Sequence, residues 1–181
     1  MNKYLLGIMV GVLSQSVAAS DSDGKNAQAA LYNAAGKAIG KIEFSPQRNG
    51  VKVEATVSGL APGFHGFHIH AVGSCVTGNP PFTSAQGHFK VGNTTHKDHN
   101  GDFPVLLANT NGTAKTEFVT DRFKIKDLFD ADGSAVIVHA NPDNYANIPV
   151  GYTPASADVT NTTQATGDAG ARFACGVVKK K

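Results

Sequence analysis

Apolar and polar residues alternate along most of this chain in short runs, broken by Asn, Gly and Pro. A period of two puts successive side chains on opposite faces of a strand. Eight segments carry the pattern: residues 28–33, 38–45, 51–58, 64–71, 103–109, 113–120, 135–140 and 172–178. The links 33–36, 48–50 and 109–112 carry Asn or Gly where a tight hairpin needs positive φ. Residues 126–129 suit one helical turn. Two connections, 72–102 and 141–171, are too long for hairpins, and loops of that length in a compact domain are usually functional. The pattern predicts an all-β sandwich or barrel of eight short strands with two long functional loops.

Composition narrows this picture. A length of 181 residues fits one domain with a sizeable core. Twenty glycines, 41% hydrophobic and 17% charged residues agree with a turn-rich β protein. A net charge of +2 is not the footprint of a nucleic-acid binder, and the three terminal lysines read as a solvated end. Residues 1–19 carry Lys3, the apolar run 5–13 and the small residues Val17, Ala18 and Ala19, which is the layout of a cleaved signal peptide. The apolar run is too short to span a bilayer, and no longer one follows. The mature domain is then 20–181, opening with a polar leader to about Asn26, in the periplasm or secreted. Cys75 and Cys175 are the only cysteines. In an oxidising compartment an even pair reads as a disulfide. Two metal-bound thiolates are the competing reading, but CxxC spacing is missing.

The candidate chemistry lies in the histidines. In Gly66-Phe67-His68-Ile69-His70, strand parity turns His68 and His70 to one face and Phe67 and Ile69 to the core. His65 shares the inward parity and reads as a buried, hydrogen-bonded structural residue. His139 ends a second apolar strand and gains meaning only if the fold brings it beside His68 and His70. His88, His96, His99 and Asp102 form a second cluster. Imidazoles with a carboxylate suit Zn²⁺, and three or more imidazoles in a flattened array suit Cu²⁺. Five of the seven histidines lie in 72–102 or on the strand before it, His65 aside, which favours a metal site over coincidence.

The stretches His65–His70, Gly87-His88-Phe89, Gly101-Asp102-Phe103-Pro104, Val136–His139 and Gly167–Gly176 together resemble the exported bacterial branch of the copper/zinc superoxide dismutase family. The resemblance covers almost all of the mature chain. It implies an eight-stranded Greek-key β-barrel that binds a copper and a zinc ion and takes superoxide as substrate. Copper would be held by His68, His70, His88 and His139, and zinc by His88, His96, His99 and Asp102. His88 would bridge the ions as an imidazolate and relay a proton, Asp143 would link His68 to His96, and Arg172 would guide the anion. Cys75–Cys175 would be the family disulfide. Two features depart from the family: the stretch 96–99 is short, and Phe89-Lys90-Val91 lacks a proline often found there. Asp98 competes with Asp102 as the carboxylate, and Asp102 is preferred for its His-x-Gly-Asp setting. The branch holds monomers and homodimers, and no apolar stripe selects between them. A non-catalytic copper store on the same fold is the alternative; it would need the ligands but not Arg172.

Overall fold

The computed structural model describes residues 25–147, 151, 153 and 156–181. The predicted signal segment 1–19, and Pro149, Tyr152 and Pro154 of the second long loop, lie outside the described residues. The strands are β1 (Ala27–Asn33), β2 (Ala38–Gln47), β3 (Gly50–Val57), β4 (Gly63–His65), β5 (Phe67–His70), β6 (Leu106–Ala108), β7 (Ala114–Thr120), β8 (Ala135–His139), β9 (Arg172–Val177) and β10 (Lys179–Lys180). All pair antiparallel in the order β4-β6-β7-β3-β2-β1-β9-β8-β5, with β10 on β1. The two ends of that path, β4 and β5, are separated in the chain by Gly66 alone. The sheet therefore curls until its edges meet, giving a nearly closed Greek-key barrel, a form that leaves little open edge.

Alternation builds the barrel wall. Ala27, Ala29 and Leu31 of β1 point inward, as do Val51, Val53, Ala55 and Val57 of β3. Phe44, Phe67, Phe103, Leu106 and Leu128 fill the interior, with the Phe67 and Phe103 rings 5.0 Å apart. Each such side chain, fully buried, contributes roughly 1.5–3 kcal/mol. The predicted turns at 33–36 and 109–112 form, closed by Gly36 N donating to Asn33 O and Gly112 N to Asn109 O, each at 2.9 Å.

Several expectations need correction. The predicted strand 64–71 is two strands, because at Gly66 the chain changes partner from β6 to β8. Strand 103–109 shrinks to Leu106–Ala108: Phe103 N donates instead to Phe67 O at 3.3 Å, and Pro104 has no N–H to give. The terminal lysines are exposed, as a solvated end requires, but they are also tethered: Lys179 and Lys180 pair with Gln28 and Ala27, and Lys181 reaches Glu43 at 2.7 Å. The one-turn helix is a 3-10 turn over Ile125–Phe129, close to the predicted place. The loop 141–171 holds a helix, α1 (Ala157–Thr166), capped by Ser156 and ended by Gly167 at φ 62.

Strands β5 and β8 are buried on both faces. Their inner face gives Phe67, Ile69, Val136 and Val138 to the barrel core. Their outer face carries His68, His70 and His139, beside a small apolar cluster of Ala135, Ile137, Phe82, Ala85 and Cys175. Loop 72–102 lies over that face, with a 3-10 turn (Thr83–Ala85) pressed onto it. The Cys75–Cys175 disulfide fastens the loop to β9, with a Cα–Cα separation of 5.7 Å.

Candidate metal centre

The long loop uses the free edge of β5 as a template. Ala71 N donates to Gly87 O, Phe89 N to Ile69 O and Ile69 N to Gly101 O, at 2.8–2.9 Å. These contacts set His88 opposite His70 and Asp102 opposite His68. The approach at Gly101 is so close that a Cβ there would strike the Ile69 carbonyl. Two loop passages thus act as extra strands, and ligands far apart in sequence arrive on one wall.

Two groups of ligand atoms result, each within 4.8 Å: His68, His70, His88 and His139 in one, His88, His96, His99 and Asp102 in the other. His88 belongs to both. All of these side chains are buried. His139 does reach His68 and His70, as the sequence required for it to matter, with ring centroids 4.9 and 5.7 Å away. Asp98 is exposed and stands outside both groups, whereas Asp102 is inside. His65 is buried on the inner side, bracketed by the carbonyls of His139 and Ala61 at 2.8 Å each.

Hydrogen bonding decides which nitrogen each ring offers. His68 Nε2 donates to Asp143 Oδ2 at 2.6 Å, His70 Nδ1 to Gln86 O at 2.7 Å, and His139 Nδ1 to Gly170 O at 3.1 Å. The opposite nitrogens, His68 Nδ1, His70 Nε2 and His139 Nε2, are buried without a partner, and so is His88 Nε2. An orphaned buried acceptor is costly unless something binds it. Four of them converging, with their tautomers fixed from behind, form a set of imidazole lone pairs fit for a cation. In the second group, His96 Nε2 donates to Asp143 Oδ1 at 2.7 Å, and His88 Nδ1 to Asp102 Oδ1 at 2.7 Å. His96 Nδ1 and His99 Nδ1 lie 3.2 and 3.3 Å from Asp102 Oδ2, where neither is aligned for a hydrogen bond. Three nitrogens and a carboxylate around one point match the donor set preferred by Zn²⁺.

The charges follow from this packing. Burial pushes His68 down to about 4 and His139 down to about 3, and holds His70 well below its ordinary value. All three rings are therefore neutral at pH 7, as metal ligands must be. For His96, burial is outweighed by Asp102 and Asp143, and its pKa rises to about 9. Burial opposes ionisation of Asp102 and Asp143 as well, but the neighbouring histidines win and keep both carboxyls well below their usual range.

Arg172 pairs in register with His139. It is half-buried, and its guanidinium donates to the carbonyls of Phe82 and Gln86 at 2.5 Å each. The Gln86 carbonyl thus holds both Arg172 and His70. Sequence reading missed Gln86, because a backbone acceptor leaves no mark in the sequence. It also missed α1, whose Gln164 carbonyl accepts from His96 N at 2.7 Å. Ser156 as N-cap and Gly167 as C-cap were the available signals. Gly167 packs so tightly on Asp143 and His96 that any Cβ would collide with both.

An antiparallel Greek-key barrel carrying two histidine-rich ligand groups that share one ring defines a dinuclear metalloprotein. The comparisons with known proteins specify which kind. Residues 38–178 match the family model described as copper/zinc superoxide dismutase. A copper–zinc superoxide dismutase of Mycolicibacterium paratuberculosis is 40% identical over 153 residues, covering 78% of this chain and 67% of that one. A copper–zinc superoxide dismutase of Salmonella typhimurium is 32% identical over 193 residues, covering 99% and 100%. The solved Cu/Zn superoxide dismutase from Brucella abortus superposes with a TM-score of 0.67 at 28% identity, covering 86% and 100%. The chain belongs to the copper/zinc superoxide dismutase family.

Proposed function

We propose that the protein converts superoxide to dioxygen and hydrogen peroxide, using bound copper and zinc. The observation that carries this reading is the set of four buried, unpartnered ring nitrogens on His68, His70, His88 and His139. In this reading they would hold copper, while His88, His96, His99 and Asp102 would hold zinc, with His88 common to both groups. A copper ion held there would supply the reversible one-electron chemistry that dismutation needs, and a zinc ion would supply a fixed charge without redox change.

The chain's own residues do the rest. The rigid β5 and β8 strands hold three of the four copper-side rings. Asp143 keeps His68 and His96 in the tautomers that aim Nδ1 at the ions. Arg172 stays charged, and with two N–H groups fixed on carbonyls it presents the remaining ones to a small anion. His88 would serve both ions, with Nε2 in the four-histidine group and Nδ1 beside Asp102, and would deliver one of the two protons that hydrogen peroxide needs, the other coming from solvent. Arg172 beside the ligand set favours the enzyme over the copper store.

We also read residues 1–19 as a cleaved export signal and 20–181 as the mature periplasmic or secreted domain. Among the described residues no helix is long and apolar enough to cross a membrane. N-terminal sequencing of the protein from an exporting host tests the cut. The activity test is direct superoxide decay after loading with copper plus zinc, copper alone, or zinc alone. Fast decay in both copper samples and none with zinc alone supports the dismutase. Tight copper binding without decay would leave a copper store on a dismutase fold.

A further inference from the structure

His96 and His99 have no strand beneath them. His68, His70 and His139 stand on β5 and β8, whereas the zinc-side pair rides on a short turn in which Lys97 takes φ 67. Within the turn, Asp98 N donates to Thr95 O at 3.1 Å and Asp102 N to His99 O at 3.2 Å. Those bonds engage His99 O but leave the Lys97 carbonyl without a partner inside the turn.

Arg122, two residues beyond the end of β7, reaches both. Its Nη1 donates to Lys97 O at 2.6 Å and to His99 O at 3.0 Å. The turn answers in kind: Asn100 Nδ2 donates to Arg122 O at 2.5 Å, and Asn100 Oδ1 accepts from Val91 N at 2.6 Å. One cation thus grips the carbonyl of Lys97, which follows His96, and the carbonyl of His99 itself, and charge-assisted bonds are the stronger kind. Arg122 therefore ties the turn to the segment after β7, while Gln164 of α1 separately accepts from His96 N.

We propose that Arg122 is a positioning residue for the zinc half of the centre, fixing the short turn so that His96 Nδ1 and His99 Nδ1 face Asp102 together. This rests on the zinc reading given above. Arg122 is exposed and fills no part of the core, so its loss need not unfold the barrel.

The test compares the mature chain with Arg122→Met and Arg122→Lys. Zinc affinity is read by competition with a chromophoric chelator, and ligand geometry by the visible absorption of Co²⁺ at the zinc position. Copper affinity and thermal unfolding of the metal-free chains serve as controls. Arg122→Met is expected to weaken zinc binding about tenfold or more, the usual cost of losing a residue that orients ligands. It should also alter the cobalt bands and leave copper affinity as in the parent. Arg122→Lys, whose ammonium can still donate to both carbonyls, should recover most of the loss. An unchanged zinc affinity in Arg122→Met overturns the proposal, as does an equal fall in zinc affinity, copper affinity and metal-free melting temperature. If the Met variant does not fold, Asn100→Ala cuts the return bonds and should weaken zinc in the same way; unchanged zinc binding there overturns the proposal too. A parent chain that binds neither ion would overturn the reading of the centre itself. A parent that binds both, with Arg122 indifferent, overturns only this inference.

Discussion

Asp143 accepts the Nε2 proton of His68 at 2.6 Å, between two fully buried side chains. Its other oxygen accepts from His96 Nε2 at 2.7 Å and from Tyr145 N at 2.6 Å. One carboxylate therefore orients one ring from each of the two ligand groups, while the backbone of Tyr145 fixes the carboxylate. Asp143→Ala frees both rings. We expect zinc affinity to fall about 10–100-fold, the range for losing such a partner. Copper should lose less, because His70, His88 and His139 keep their own supports. Competition titrations for the two ions measure this, and equal retention of zinc by the variant would refute the link.

Removal of metal makes the stability of this chain depend on pH in two directions. His68 and His139, lowered by burial to about 4 and about 3, refuse a proton that the unfolded chain accepts near 6.5. Stability is then lost as pH falls from about 6.5 toward those values. His96, raised to about 9, contributes stability fully present below about 6.5 and lost as pH rises through about 9. The depressed Asp102 and Asp143 are the same attraction viewed from the acidic partner, so it is not counted twice. The urea midpoint of the metal-free chain is expected to peak near neutrality and fall on both sides. A flat midpoint from about pH 7 to about pH 9.5 would show that His96 is not held as a cation.

Zinc uptake should report the same charge. At about pH 7.5 the metal-free His96 carries a proton that coordination must displace, so binding should release about one proton from it. Calorimetry in buffers of different ionisation enthalpy counts that release; no buffer dependence would contradict the raised pKa of His96.

Arg172→Gln keeps a donor but removes the charge that draws in the anion. The second-order rate of superoxide decay is expected to fall roughly tenfold, the low end of electrostatic steering. Its dependence on ionic strength should flatten as well. Arg172→Lys should restore part of the salt dependence. Stopped-flow decay at low and at physiological salt separates these outcomes, and a parent-like salt slope in Arg172→Gln would remove Arg172 from the guiding role.

The disulfide closes a separation of 100 residues. Replacing Cys75 and Cys175 together by Ser is expected to cost about 2–5 kcal/mol of stability, read from chemical denaturation. The cost should not stop at stability. Cys75 anchors the loop whose Phe82 and Gln86 carbonyls hold Arg172, and whose Gln86 carbonyl also holds His70. A faster loss of copper to a chelator should accompany the change, and parent-like copper retention would confine the bond to a stabilising part.

The strands were legible because alternation is a local property. The outward turn of His68 and His70 and the inward turn of His65 follow from parity alone, and the structure bears them out. Signals that need a partner were not legible. The break at Gly66 depends on β6 and β8 arriving on either side of it. The polar helix α1 has only Thr163 buried, so it shows almost no apolar stripe, and its capping residues were its only local sign. All six described non-glycine residues with positive φ (Phe82, Gln86, Lys97, Tyr145, Ala146 and Asp168) lie in the two long loops. Such strain persists only where surrounding contacts over-determine it.

By itself the sequence determined an all-β barrel with two long functional loops, and it named the histidines and carboxylates from which a metal centre can be made. That much follows from residue type and spacing along the chain. Only the tertiary structure decided that His139 meets His68 and His70, that Asp102 and not Asp98 enters the cluster, and that Gln86, Gln164 and Arg122 hold the ligands in place. Those relationships run through backbone groups and contacts across the barrel. A carbonyl oxygen is the same in every residue, so its role exists only once the fold has placed a donor beside it.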